Sequence, residues 1–256
     1  MNQYQTEHID DIFSKCKGTL WEVELSIIDA CNRKCPSCPK SNDLLAPNTW
    51  LEMPPALYTK IANNLKEMNF DGLVMLCGYG EPLLSRNVVD IVKKFSFTYV
   101  DIITNGDCLT EEKAEELINA GVNKILISRY DNQDHYFDIQ RQHPDKIIIR
   151  DRRVQVLGEC NRGGTLNQAQ LQSPCYYPFY MLMVDWNGDC FACCQDWQRH
   201  KKIGNLAFQS VSEVWNSQQV NKIRKMLKHE GRVEYPCKIC NVNGTLRGEK
   251  NFEAYI

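Results

Sequence analysis

Three cysteines stand within eight residues, Cys31-Asn-Arg-Lys-Cys35-Pro-Ser-Cys38, spaced C-x3-C-x2-C. Three thiolates on one loop hold three corners of a cubane iron–sulfur cluster. The fourth iron then stays open to a small molecule, much as a catalytic zinc keeps an open position. A zinc site is the competing chemistry, but zinc shells pair their cysteines as C-x2-C repeats with four ligands. Here the local count stops at three. The motif follows Trp21–Ile28, whose β-branched and apolar residues predict a strand. Asp29-Ala30 turns the chain, and Pro36 and Pro39 keep a helix from starting at once. The thiols are expected on an irregular loop at the C-terminal end of that strand.

A second group of cysteines lies near the C-terminus: Cys175, Cys190, Cys193, Cys194, Cys237 and Cys240. Residues 180–193 read as a strand, an Asn187-Gly188 turn and a strand, the signal of a hairpin. Residues 212–228 predict a helix, with Val214, Trp215, Val220, Ile223 and Leu227 as its apolar set. Cys237-Lys-Ile-Cys240 supplies a C-x2-C pair beyond it. One thiol before the hairpin, one after it and this pair close four-fold around a second cluster, or around a structural zinc.

The elements that must position these groups alternate. A leading helix over residues 1–17 presents Ile9, Ile12 and Phe13 on one face, with Cys16 as a structural thiol. Helices are predicted over 54–68, 87–95, 109–120 (with Gly121 as C-cap) and 134–143. Strands are predicted over 71–77, 97–104, 123–128 and 147–150, with 152–158 as a sixth strand or its approach. Such alternation implies a parallel, open (β/α) barrel, whose ligands bind at the C-terminal ends of the strands. Three motifs fall at those ends: Gly78-Tyr79-Gly80-Glu81-Pro82, Thr104-Asn105-Gly106, and Ser128-Arg129. The glycines let backbone approach a ligand and leave carbonyls free to accept from an ammonium group. Arg129 is a candidate for a paired contact with a carboxylate. Arg162, before Gly163-Gly164, is a candidate substrate or anion contact. Gln195 and Asp196, just after the hairpin, are candidates either to hydrogen-bond a ligand or to cap the segment that follows them.

The chain has 256 residues and a formal net charge of −2, which implies no strong nucleic-acid or membrane field. Thirteen cysteines, odd in number and clustered, fit metal or catalytic use in the cytosol better than a disulfide framework. No apolar signal segment or membrane-spanning run is read, so the expected location is cytoplasmic.

The C-x3-C-x2-C loop after a first strand, together with Gly78-Tyr79-Gly80-Glu81, resembles the radical S-adenosylmethionine (SAM) superfamily. Tyr79 departs from the small residue many members carry there. The resemblance implies a partial (β/α)6 TIM-like barrel over residues 1–165. It also implies a 4Fe–4S cluster on Cys31, Cys35 and Cys38 whose open iron chelates SAM. Cleavage of SAM would yield a 5′-deoxyadenosyl radical that abstracts a hydrogen atom from substrate. Gly78, Gly80 and Glu81 would grip the SAM amino group. Asn105 and Ser128 would contact its ribose or methionine moiety, and Arg129 its carboxylate. The C-terminal order resembles a twitch domain, a shortened SPASM module, over residues 166–256: a small α+β unit of β-hairpin plus helix. That likeness assigns Cys175, Cys193, Cys237 and Cys240 to an auxiliary 4Fe–4S cluster, with Cys190 and Cys194 as rivals for the hairpin ligand. Length and cysteine order are similar to small twitch dehydrogenases of aminocyclitol biosynthesis. This implies two-electron oxidation of a secondary alcohol on a polyol, sugar or amino sugar. Arg162 would hold the substrate hydroxyl and help deprotonate it. A flavodoxin- or ferredoxin-type reductant is implied as partner. The alternatives are redox-neutral epimerisation, with a spare thiol returning hydrogen, and peptide modification, which the lack of a leader-binding segment disfavours.

Overall fold

The alternating pattern folds into a single eight-stranded sheet. The computed structural model describes residues 3–43, 45–153, 160–167, 171, 173–244 and 248–256. A leading helix α1 (Gln3–Lys15) precedes β1 (Glu22–Leu25). Then β2 (Leu73–Leu76), β3 (Tyr99–Thr104), β4 (Lys124–Arg129) and β5 (Ile147–Asp151) lie parallel to one another in sequence order. One helix fills each crossover: α2 (Pro55–Glu67), α3 (Val88–Phe95), α4 (Glu111–Ala120) and α5 (Tyr136–Gln142). Local chemistry fixes their ends. The Thr110 side chain accepts from the Lys113 N–H to start α4, and Gly121, at φ +107°, ends it as expected.

The sheet continues on the far side of β1. β6 (Met181–Val184) pairs parallel to β1, Glu22 opposite Met181 and Leu25 opposite Val184. β7 (Asp189–Phe191) and β8 (Lys202–Asn205) follow antiparallel, giving the order β5-β4-β3-β2-β1-β6-β7-β8. The fold is thus an open, partial barrel of mostly parallel strands, but its sixth parallel strand is not the one expected after β5. Arg152 and Arg153 lie outside any strand, and 154–158 fall outside the described residues. The sixth parallel strand is the first arm of the predicted hairpin, and it joins the β1 edge. Its sequence Met-Leu-Met-Val is buried at all four positions, which suits a strand covered on both faces rather than a one-sided hairpin arm.

Alternation along the strands divides the core. Val74, Leu76, Val100 and Ile102 pack toward the crossover helices, with Ile61, Leu65, Ile91 and Leu117. Leu73, Met75 and Met181 face the other way and are covered by α1 through Ile9, Ile12 and Phe13. Full burial of such side chains contributes about 1.5–3 kcal/mol each. His8 of α1 reaches Asp101 Oδ2 of β3 at 3.0 Å, and burial holds the Asp101 carboxyl above its ordinary range. The helix predicted over 212–228 is broken in two, α6 (Val211–Trp215) and α7 (Gln218–Lys225), followed by a π turn, Met226–Glu230. Ser217 caps the second piece by accepting from Val220 N–H, and so ends the first. A last helix, α8 (Glu249–Ala254), packs Phe252 against Tyr176 and Phe179. Among the described residues no helix is long and apolar enough to cross a membrane.

Candidate active site

The C-x3-C-x2-C loop leaves β1 at the C-terminal edge of the sheet, where it was expected. Its shape is set by short-range bonds: Cys38 N–H donates to the Cys35 carbonyl (2.9 Å), and Arg33 N–H donates to Cys31 Sγ (3.5 Å). Its position is set by charge. Arg33 Nε meets Asp107 Oδ2 at 2.7 Å and its Nη1 meets Asp131 Oδ2 at 2.9 Å. Lys40, just past the motif, is buried and donates to the carbonyls of Asp29 and Pro47. Cys31, Cys35 and Cys38 all line one cavity of about 280 Å³ at the mouth of the sheet. Burial pushes the Cys31 and Cys35 thiols up to about 11 and raises Cys38 as well. Only a bound metal would claim them as thiolates at neutral pH.

The loop after β2 lies directly against this one. A Cβ on Gly80 would sit 2.1 Å from the Ile28 carbonyl oxygen, so no side chain fits there, and Glu81 N–H donates to the Ala30 carbonyl (2.8 Å). Gly78, Gly80 and Glu81 line the cavity. Glu81 is buried and already occupied: it accepts from Leu83 N–H (3.0 Å), Thr104 Oγ1 (2.6 Å) and Asn105 N–H (2.8 Å). Burial pushes its carboxyl up and these three donors pull it back. It therefore locks the β2 and β3 ends together while facing the cavity. Tyr79 points away. Its ring packs edge-on against Trp197 at 4.7 Å, its hydroxyl donates to the Asp196 carbonyl (3.0 Å), and Arg199 lies over it at 4.4 Å. The departure from a small residue thus ties the loop after β2 to the segment after Cys193.

Asn105 and Ser128 also line the cavity. Asn105 Nδ2 donates to Asn32 Oδ1 (2.8 Å), bracing the cysteine loop. Arg129 does not line it: strand alternation turns Ser128 inward and Arg129 outward, where its guanidinium stacks on Phe137 at 5.0 Å. The inward cation is Arg150 of β5, opposite Ser128 in the ladder and donating to its hydroxyl at 2.9 Å. Burial pushes Arg150 down to about 10. The 147–150 strand was legible; its inward face was not.

The second group resolves into a ring. Cys175, Cys193, Cys237 and Cys240 all line one interior cavity. Cys190 is fully buried in β7 and donates to the Gly188 carbonyl; Cys194 lines the first cavity instead. Neighbouring residues after the hairpin thus line different cavities, while their thiols hydrogen-bond each other. Burial pushes Cys175 up to about 12 and Cys237 to about 11. Among the described residues no three Cys, His, Asp or Glu side chains converge tightly enough to hold a single ion; the thiols surround a space rather than a point. A buried guanidinium, Arg232, lines the same space. Nothing in the sequence around it marked it out.

Glu24, Arg162, Cys77 and Cys194 line the first cavity together, and Arg162 and Cys194 adjoin in sequence Gly163 and Cys193, which line the second. Glu24, on β1, is 6% exposed, and burial pushes its carboxyl up to about 7, eased by the thiols of Cys77 and Cys194 and the charge of Arg162. Arg162 has φ +50°, and its Nε donates to the Ser37 carbonyl of the first cysteine loop (3.4 Å). Gly163 and Gly164 permit this. A Cβ on Gly163 would meet the Gln195 carbonyl at 2.4 Å, and one on Gly164 would meet Ile239 at 2.3 Å. Burial alone would lower Arg162, but the thiols of Cys160, Cys38 and Cys194 hold it above its ordinary value, a permanent cation. Gln195 bonds to Cys160 and Cys194. Asp196 accepts from His200 N–H and Lys201 N–H, the capping alternative.

Comparison with known proteins agrees with this geometry. Residues 25–150 match the radical SAM superfamily, and residues 175–241 match SPASM, an iron–sulfur cluster-binding domain. A curated relative, the S-adenosyl-L-methionine-dependent 2-deoxy-scyllo-inosamine dehydrogenase of Niallia circulans, is 29% identical over 90% of this chain and 96% of its own length. The crystal structure of BtrN in complex with AdoMet and 2-DOIA superposes with a TM-score of 0.76 at 29% identity, covering 88% of this chain and 94% of that one. Streptococcus suis SuiB bound to its precursor peptide SuiA shares the fold alone, with a TM-score of 0.51 and 12% identity over 87% of this chain and 71% of that one. The chain is a radical SAM superfamily protein that carries a C-terminal SPASM-type iron–sulfur module.

Proposed function

We propose that this chain oxidises a secondary alcohol of an aminocyclitol or amino-sugar substrate to a ketone. Cys31, Cys35 and Cys38 would hold a SAM-binding 4Fe–4S cluster, and Cys175, Cys193, Cys237 and Cys240 an auxiliary one. Both donor sets suit these groups: three half-buried thiols on a loop facing a cavity, and four thiols around an interior space beside an arginine. When bound, the first cluster with SAM supplies a carbon-centred radical that takes a hydrogen atom, and the second supplies a one-electron acceptor.

The observation that carries the reading is that Cys193 and Cys194, neighbours in the chain, line one cavity each. Glu24, Arg162 and Cys194 line the SAM-side cavity, and Cys194 directly follows a member of the thiol ring. An alcohol held there can lose hydrogen on one side and an electron on the other. Arg162, a fixed cation, stabilises the substrate oxygen as its proton leaves, and cannot itself accept that proton. Glu24, poised near neutrality, accepts it. Glu81, Asn105 and Ser128 form the SAM side, with Arg150 rather than Arg129 as the buried cation for the SAM carboxylate. The division at residues 165/166, a flavodoxin- or ferredoxin-type reductant and a cytoplasmic location belong to the same reading.

A second reading rests on Cys77 and Cys194, thiols that reach the cavity without belonging to either cysteine set. They suit redox-neutral epimerisation by return of a hydrogen atom. Anaerobic incubation of the reconstituted protein with SAM, reductant and a panel of aminocyclitols in D2O separates the two. Oxidation gives a product lighter by two hydrogens, with one 5′-deoxyadenosine formed per product. An unchanged skeleton carrying one solvent deuterium overturns oxidation in favour of epimerisation.

A further inference from the structure

We infer that Arg232 is the counter-charge of the four-cysteine site and sets the ease with which that site takes up an electron. The inference rests on the proposal that the site holds an iron–sulfur cluster. Arg232 is 7% exposed and lines the cavity ringed by Cys175, Cys193, Cys237 and Cys240. Its Nε donates to the Ser173 carbonyl (2.9 Å), Nη2 to the Pro174 carbonyl (3.2 Å) and Nη1 to the Cys240 carbonyl (3.4 Å). Among the described residues no carboxylate forms an ion pair with it.

Arginine keeps its charge at any pH a protein survives. A buried cation is costly unless an opposite charge lies near it. Carbonyl dipoles solvate a guanidinium but leave its charge whole. The other cation on this cavity, Lys201, is paired with Glu234, and the buried Asp196 carboxylate on the same wall accepts from His200 N–H and Lys201 N–H rather than pairing with Arg232. The missing negative charge is the thiolate shell itself. Four thiolates around an iron–sulfur core make a net anion, and each electron taken up makes it more negative by one. A fixed cation against the shell therefore stabilises the reduced form more than the oxidised one, and favours electron uptake from substrate. The three carbonyl bonds give the same residue a second role. They join the strand approach that carries Cys175 to the loop that carries Cys240, so charge and clamp must be separated by experiment.

The test uses the Cys31/Cys35/Cys38→Ala protein, reconstituted anaerobically, so that only the second cluster is read. Iron content and an EPR-monitored redox titration are compared for that parent and for added Arg232→Gln and Arg232→Lys. The expected result is full iron in all three, at least tenfold weaker electron uptake in Arg232→Gln (about 59 mV lower for one electron) and a potential near the parent in Arg232→Lys. Loss of iron in Arg232→Gln alone, with Arg232→Lys keeping both iron and potential, also supports a requirement for charge. An unchanged potential in Arg232→Gln at full iron, or equal iron loss in both variants, overturns the inference. A parent that binds zinc or no metal instead overturns the cluster reading on which it rests, a separate and visible failure.

Discussion

Cys31, Cys35 and Cys38 come from one loop, remain partly exposed, and share their cavity with Gly78, Gly80 and Glu81. Cys175, Cys193, Cys237 and Cys240 come from three segments of chain, with Cys175 and Cys240 buried, and share theirs with Pro178, Ile223 and Leu227. The first arrangement has room for a ligand beside the thiols and a polar wall to orient it. The second has a fourth thiol where the first has space, and Pro178, Ile223, Leu227 and Val242 make part of its wall apolar. The two sites thus differ in ligand count and in burial. Cys193 and Cys194, neighbours in the chain, line one cavity each.

The sharpest test of this contrast is the Cys193/Cys194 pair. Cys193→Ala is expected to lose about four irons per chain and to stop forming ketone while still cleaving SAM. Cys194→Ala keeps its iron. Iron and sulfide analysis with 5′-deoxyadenosine and product quantification reads both. The reverse pattern would move the ring onto the wrong thiol.

The first site depends on backbone contact rather than on thiols alone. Gly80→Ala forces a Cβ against the Ile28 carbonyl, and should cost about 3 kcal/mol, with iron lost from the first site and retained in the second. Denaturant unfolding and iron content under anaerobic conditions check it. Full iron at unchanged stability would show that the two loops do not need to touch.

The first cavity has its own pH signature. The Glu24 carboxyl sits at about 7 in the folded chain, above its unfolded value. The folded state therefore holds an extra proton between those two values, and stability falls as pH rises through that window. Glu24→Gln removes this loss. The variant should match the parent near pH 4 and exceed it by roughly 2–3 kcal/mol above pH 8, measured by denaturant unfolding of the metal-free protein. Equal stability at both ends would mean that Glu24 is not held in its protonated form.

The smallest effects separate two arginines. Arg150→Gln removes a buried charge from the SAM side and should weaken SAM binding by at least roughly tenfold, the worth of one charge-assisted hydrogen bond. Arg129→Ala loses its stacking on Phe137, about 0.5–1 kcal/mol of stability, and its contact with Tyr136, and should leave SAM affinity unchanged by equilibrium titration. The opposite ranking would restore Arg129 to the site.

That pair also marks where sequence reading runs out. The first cysteine loop was legible because its chemistry is local: spacing, two prolines and a preceding apolar strand. The loop glycines and Asn105 were legible because strand ends carry turn residues. Which of Ser128 and Arg129 faces inward depends on a register fixed by pairing with β5, and a short strand does not display it. β6 read correctly as a hairpin arm, yet its parallel partner β1 is far away in sequence, and no local pattern carries that pairing. Cys193 and Cys194 are alike in sequence; only the direction of the chain leaving β7 sends one to each site. Glu24 looked like an ordinary strand residue until burial placed it under the cavity, and Arg232 gains meaning only from the thiols folded around it.

The central claim is that two separate cysteine sets hold two clusters. Iron and acid-labile sulfide per chain, after anaerobic reconstitution of the parent and of Cys31/Cys35/Cys38→Ala, test it most directly. The account predicts about eight irons falling to about four, with SAM cleavage abolished and the remaining cluster still reducible. About four irons falling to none, or zinc in the second site, would contradict it.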